Sequence, residues 1–429
     1  MRLALLCVVT IACTDATLPD PPVVERLADI GQLSSGWNGE LIATVDQSYA
    51  GWDLELADLD GDGVDEILAG TAPNSRVDMY QRHDGLWSAT TLAEDLATAT
   101  PGMVLGVKVA DVDGDRMPEL VAGTGEENGE VARLAVFELD GDRITQMSRM
   151  HAPQNNSSYT HGLALADLDH DGKQEIVSAY CGDGEVIRYD LEHDGSIASR
   201  KLMQVSGSGE DAWIVDVDGD GVRELVVSNA YRARAAQIEI YDLDEAGEPA
   251  RYPRLVLDSF EGHRMFYASL MVGDLDGDSR PELIVGWKEV QSDNRATIVA
   301  YRVDGSDASV AYVLARRDST FDMAYFQNMM GIADVDLDGR PELLVSTRGD
   351  NESEGISSTH AGQVFALHVE PDGTVRRDLV IDFDPLFAES SWLTIGDIER
   401  DGRPDVVVAT GRGNRRDPGW SYVVRLWRE

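Results

Sequence analysis

Cysteine is nearly absent from this 429-residue chain. Only Cys7, Cys13 and Cys181 occur, which excludes a disulfide framework and a cysteine-rich metal site. Bases are scarce as well: 36 Lys and Arg stand against 78 Asp and Glu, for a formal net charge of -42. Such a chain has no basic face to track a phosphate backbone, so nucleic acid is excluded as a partner and an anionic lipid surface is disfavoured. No HExxH, nucleophile elbow or phosphate-binding glycine loop is present. His151 and His161 fall in one loop and His263 in another, which is thin support for acid–base catalysis, and no catalytic residue is assigned. The N-terminal apolar run from Leu3 to Ala12 is about half the roughly 20 residues a bilayer span requires.

What the chain has in excess is aspartate, and it is ordered. The stretch ADLDGDGVDEILAG, residues 57–70, crowds Asp58, Asp60, Asp62, Asp65 and Glu66 against an apolar run. It recurs as DVDGDRMPELVAG from Asp111, DLDHDGKQEIVSA from Asp167, DVDGDGVRELVVS from Asp216, DLDGDSRPELIVG from Asp274, DVDLDGRPELLVS from Asp334 and DIERDGRPDVVVA from Asp397. The starts lie 53, 56, 49, 58, 60 and 63 residues apart, a register that marks a repeat architecture. Each loop is flanked by short aliphatic runs that read as buried strands. Two further segments follow in each unit, such as Val77–Tyr80 and Trp87–Leu92 in the first. Four strands per unit in seven copies predict an all-β, seven-bladed β-propeller with the acidic loops between strands 1 and 2.

The chain ends bear on closure. Only two strands follow the last loop, Val406–Val408 and Tyr422–Leu426, whereas the strand GELIATVD at 39–46 is surplus before the first. The N-terminal strand is therefore expected to complete the last blade, with 37–429 as one propeller.

Acids at loop positions 1, 3, 5 and 9, with a carbonyl at 7, suit calcium, which takes six to eight oxygen ligands in flexible geometry. The expected ligand sets are Asp58, Asp60, Asp62, Val64 and Glu66; Asp111, Asp113, Asp115, Met117 and Glu119; Asp167, Asp169, Asp171, Lys173 and Glu175; Asp216, Asp218, Asp220, Val222 and Glu224; Asp274, Asp276, Asp278, Arg280 and Glu282; Asp334, Asp336, Asp338, Arg340 and Glu342; and Asp397, Glu399, Asp401, Arg403 and Asp405. Position 7 varies freely, as expected where only its backbone oxygen binds. Gly at position 4 or 6 permits a sharp turn. An EF-hand closes with Glu at position 12 between helices, but here position 12 is Ala69, Ala122, Ser178, Val227, Val285, Val345 or Val408. Up to seven Ca²⁺ ions would lower the charge to about -28. At millimolar calcium and extracellular-type affinities they would stabilise by about 3 to 10 kcal/mol in all.

These loops resemble the FG-GAP or VCBS repeats of the integrin α-chain propeller and of many bacterial secreted proteins. The resemblance covers about residues 38–429 and implies that the metal loops share one rim; the seventh loop departs most, with Glu399 at position 3 and Arg400 beside it. The ending TIAC, residues 10–13, resembles a bacterial lipoprotein cleavage box. It implies a signal peptide at 1–12, a lipidated Cys13, a tether at 13–36 and an extracytoplasmic location at the bacterial outer membrane or cell surface, with plain secretion as the alternative.

A function is expected on the rim opposite the acidic loops, where aromatic and polar residues suit a glycan or protein partner. The candidates for ligand contact are Tyr180, Tyr231, Trp287, Arg348, Trp392 and Arg412. Binding or adhesion by a monomer is the first expectation. A polysaccharide lyase or dehydratase on the same fold, and a structural scaffold, are the alternatives.

Overall fold

The computed structural model describes residues 24–429 apart from 47–48, 98–101, 127–131, 150–158, 183, 193, 206, 231–236, 265–266, 289–295, 317–328, 348–361, 384–389 and 413–418. Short Val-, Ile- and Leu-rich runs bounded by Gly and Asp leave the chain little choice but extended pairing, and strands follow one another almost without interruption. Consecutive strands form antiparallel meanders of four. The first comprises Tyr49–Ala57, Glu66–Ala72, Val77–His83 and Leu86–Ala93, in that spatial order. The same arrangement starts again at Gly102, Tyr159, Ser208, Tyr267 and Met330. A last meander, Ser390–Gly396, Asp405–Arg412 and Trp420–Arg428, takes its outer strand from Trp37–Asp46, with Leu41 opposite Val424 and Asp46 opposite Trp420. The fold is a β-propeller; among the described residues the second and third meanders are joined into one sheet where Tyr159 pairs with Gly125.

The core lies between sheets, and its composition repeats around the molecule. Leu68 and Met79 of the first unit pack with Val104, Leu120 and Phe137 of the second. Equivalent clusters join each later unit to the next, and Leu54, Ile67 and Tyr80 of the first pack with Val407, Ala409 and Val423 of the last. Fully burying one such side chain contributes roughly 1.5 to 3 kcal/mol. At the seam between first and last units the Asp65 N–H donates to the Ile398 carbonyl at 2.9 Å. The backbones come close there: a Cβ on Gly51, whose φ is +98°, would lie 2.2 Å from the Ala409 Cβ.

The tether expected at 13–36 needs correction over its second half. Leu27–Asp29 forms a 3-10 turn, and Gly31–Leu33 adds a fifth strand to the sixth unit by pairing with Ile381–Phe383. Leu27 and Ile30 are buried among Val380, Phe383 and Leu426, so apolar burial overrides the polar, proline-rich start of the segment. The expected signal at 1–12, and Cys13, lie outside the described residues.

Candidate metal centre

Every acidic loop folds on the same three hydrogen bonds. The carboxylate at position 9 accepts the N–H of position 2, from Glu119 with Val112 at 2.6 Å to Asp405 with Ile398 at 3.1 Å. The aspartate at position 1 accepts the N–H of position 6, as Asp274 does from Ser279 at 2.8 Å. The aspartate at position 5 accepts the N–H of position 7, as Asp115 does from Met117 at 2.7 Å. Wrapping the backbone this tightly requires left-handed residues at both positions 4 and 6, Gly61 and Gly63 in the first loop. Where glycine is missing the conformation persists: Arg116, His170, Ser279, Leu337 and Arg400 all have positive φ. Outside glycine that region carries a local cost of order 1 kcal/mol, here overridden by the carboxylate bonds.

This folding turns the carboxylates toward one another. Oxygens of Asp58, Asp60 and Glu66 lie within 4.8 Å of one another, and so do those of Asp111, Asp113 and Glu119. Asp58 Oδ1 and Glu119 Oε1 are buried without a hydrogen-bond partner. A buried carboxylate oxygen without a donor is costly, and a hard divalent cation with oxygen ligands is the chemistry that satisfies it, so these residues fit calcium. Burial, aided by the neighbouring acids, pushes Glu66 up to about 7 and Glu119 to about 8. Burial likewise lifts Glu175 and Glu224 to about 7, and raises Glu282 and Asp405.

Among the described residues four loops are entered by an arginine of their own unit, which the sequence reading missed, and the sixth is reached at Asp336 by Arg428 of the last unit at 3.6 Å. Arg188 Nη2 lies 2.5 Å from Asp169 and 3.4 Å from Glu175. Arg254 reaches Asp218 at 3.2 Å and Glu224 at 3.3 Å. Arg302 contacts Asp276, Asp278 and Glu282 at 2.5, 3.0 and 3.2 Å. Arg425 holds Asp405 at 2.7 Å and Glu399 at 2.8 Å, and Arg82 also pairs with Glu399. These hydrogen bonds pull Asp169 and Glu399 below their ordinary values. In the sixth loop His368 Nδ1 sits 3.0 Å from Glu342, while in the second the corresponding strand brings another acid, Glu138, opposite Glu119. The first loop is approached at its edge by the half-exposed Arg400, 3.1 Å from Asp58, and by His83, a donor atom of which lies within 4.8 Å of those of Asp60 and Asp62. Alternation along a third strand was the available signal, since Arg188, Arg302 and Arg425 each face the loop of their own unit.

The expected ligand rim is corrected where it is described. Tyr180 is fully buried, its hydroxyl 2.6 Å from that of Tyr189. Trp287 is 2 % exposed and meets Phe260 edge-on at 5.8 Å; Trp392 is 1 % exposed in the core shared with the fifth and sixth units. Large aromatic faces at strand ends gain more from the space between sheets than from water. Arg412 ends the strand Asp405–Arg412, and Tyr231 and Arg348 lie outside the described residues.

A family model described as FG-GAP-like repeat matches residues 58–122 and 111–178, which spans the first three acidic loops. The chain carries FG-GAP-like repeats. Among curated proteins, the FG-GAP-like chain is 24 % identical over 279 residues to cartilage acidic protein 1 of Homo sapiens, covering 61 % of this chain and 41 % of that one. It is 26 % identical over 280 residues to rhamnogalacturonan endolyase YesW of Bacillus subtilis (strain 168), covering 61 % and 40 %. It thus spans about two fifths of the length of these relatives. Among solved structures, the V. cholerae biofilm matrix protein Bap1 aligns at TM-score 0.43 and 13 % identity over 93 % of this chain and 92 % of that one. The Dos1 propeller aligns at 0.42 and 13 % identity, over 68 % and 63 %. Among the described residues no helix is long and apolar enough to cross a membrane.

Proposed function

We propose that this FG-GAP-like propeller is a calcium-stabilised, extracytoplasmic binding module for glycan or protein partners, anchored through Cys13. The observation that carries the metal assignment is the buried, partnerless Glu119 Oε1 beside Asp111 and Asp113. Calcium would be held in the first, second and sixth loops by the acids at positions 1, 3, 5 and 9 with the carbonyls of Val64, Met117 and Arg340. It supplies positive charge that removes the repulsion among them. In the third, fourth, fifth and seventh loops Arg188, Arg254, Arg302 and Arg425 perform that neutralisation from within the chain. The acids therefore serve the ring, and recognition falls to the opposite rim.

A glycan array probed in calcium and again in chelator tests the reading. Calcium-dependent retention without product supports a binding module; no retention of any glycan or matrix protein removes it. The match to a rhamnogalacturonan endolyase favours a second reading, polysaccharide cleavage. Incubation with rhamnogalacturonan, followed by ultraviolet absorbance of an unsaturated product, decides between them. Mass spectrometry of the mature N-terminus tests the anchor: an unmodified Cys13, or an intact Met1, rules it out.

A further inference from the structure

Far from the acidic loops, three donor side chains of different chemistry converge where the third unit meets the fourth. His161 lies near the start of Tyr159–Ala166, Cys181 ends Glu175–Cys181, and Glu210 lies near the start of Ser208–Val215. Donor atoms of the three lie within 4.8 Å of one another, with His161 Nδ1 3.1 Å from Glu210 Oε2. The acidic loops leave from the other ends of these strands, after Ala166 and Val215, so the trio belongs to the opposite rim.

Two β-bulges create the convergence. Register slips between Thr160 and Gly162, and again between Gly209 and Asp211, so His161 and Glu210 are each the extra, bulged residue of their strand. A bulge re-aims the side chain it carries. In the second unit the matching bulge, between Val104 and Gly106, carries Leu105, which is buried in the apolar core. The third and fourth units replace that hydrophobe with an imidazole and a carboxylate. Glu210 is only 1 % exposed, a placement that core packing alone would penalise.

The surroundings hold the donors in place. Ser208 Oγ donates to Cys181 Sγ at 2.8 Å and accepts the Gly182 N–H at 3.1 Å, and the Tyr159 ring stands edge-on to His161 at 5.5 Å. One thiolate, one imidazole and one carboxylate form a donor set for a borderline-soft divalent ion, not for calcium. Ligands of a tetrahedral zinc site at about 2.0 to 2.3 Å from the metal sit about 3.3 to 3.8 Å apart, so a small contraction suffices.

We propose that His161, Cys181 and Glu210 form a Zn²⁺ site, distinct from the calcium loops, with three protein ligands and a fourth position left to water or a ligand. Binding displaces the Cys181 thiol proton to solvent and involves no redox change. The reduced full chain, loaded with cobalt in excess calcium, is expected to bind one equivalent and show a sulfur-to-cobalt charge-transfer band. Cys181→Ser should abolish the band and one equivalent of zinc while leaving calcium content unchanged. Should that variant fail to fold, thiol labelling of the wild-type chain, mapped to the Cys181 peptide, supplies the test. Zinc should slow labelling by on the order of tenfold or more. A labelling rate indifferent to zinc, zinc content equal in wild type and Cys181→Ser, or a cobalt spectrum without a sulfur band would each overturn the site.

Discussion

Replacing Arg425 with leucine asks whether a guanidinium stands in for a metal ion in the seventh loop. The side chain is 7 % exposed and grips the 3 % exposed Asp405 through two nitrogens, at 2.7 and 3.1 Å. It also reaches Glu399 at 2.8 Å and Glu40 of the N-terminal strand at 3.4 Å. Glu399 is 39 % exposed, so its share is screened and small. The cost lies in Asp405, a buried carboxylate left without its partner, and such removals destabilise by about 3 to 5 kcal/mol. A propeller of this size has an unfolding entropy of about 0.8 kcal/mol/K, so the midpoint should fall by about 4 to 6 °C in chelator. Thermal melts followed by circular dichroism, in chelator and in millimolar calcium, measure it. The variant should also bind one more calcium than wild type, because the vacated carboxylates become a free oxygen set. A melt in chelator within about one degree of wild type, together with unchanged calcium stoichiometry, would falsify the exchange of guanidinium for metal.

Other outcomes follow from the same geometry. Equilibrium dialysis of the wild-type chain should find about three calcium ions, set by the first, second and sixth loops, and seven would contradict the arginine assignment. Glu119→Gln should remove one of them and lower the calcium-dependent part of the stability by about 0.4 to 1.4 kcal/mol, read from paired denaturant curves with and without calcium. Chelation of the wild type should lower the melting midpoint by about 1.5 to 5 °C, the sum for three sites; no shift would dissociate the loops from stability. Gly51→Val places branched carbon against Ala409 in a left-handed backbone position, and should destabilise the first–last seam by more than 3 kcal/mol, on the order of a severe core overpacking. Hydrogen exchange should then rise first at Leu54 and Val407; uniform loosening would argue against a seam-specific effect.

The acidic loops were legible because their chemistry constrains residue type: a carboxylate at 1, 5 and 9 cannot drift without losing a backbone bond that shapes the turn. The strands were legible from aliphatic runs such as Val406–Val408, which have no polar face to expose. Arg188, Arg302 and Arg425 escaped notice because their partners are neighbours across a sheet, not along the chain. Charge bookkeeping by totals hides such pairing. The rim assignment failed for Tyr180, Trp287 and Trp392 through a related gap, since a strand-end aromatic reads alike whether its ring meets water or the adjoining sheet. The turn and strand at 27–33 were masked by the proline-rich segment before them.

The last sheet is assembled from strands far apart in the sequence, Trp37–Asp46 laid along Trp420–Arg428. During synthesis the early strand has no companion until Trp420–Arg428 has left the ribosome, and bringing the two together closes a loop of nearly four hundred residues at a logarithmically growing entropic cost. Loss of Trp420–Arg428 would leave Trp37–Asp46 unpaired as well, so one lesion disables two strands that lie far apart in the sequence. A product truncated before Trp420 therefore cannot complete the last sheet.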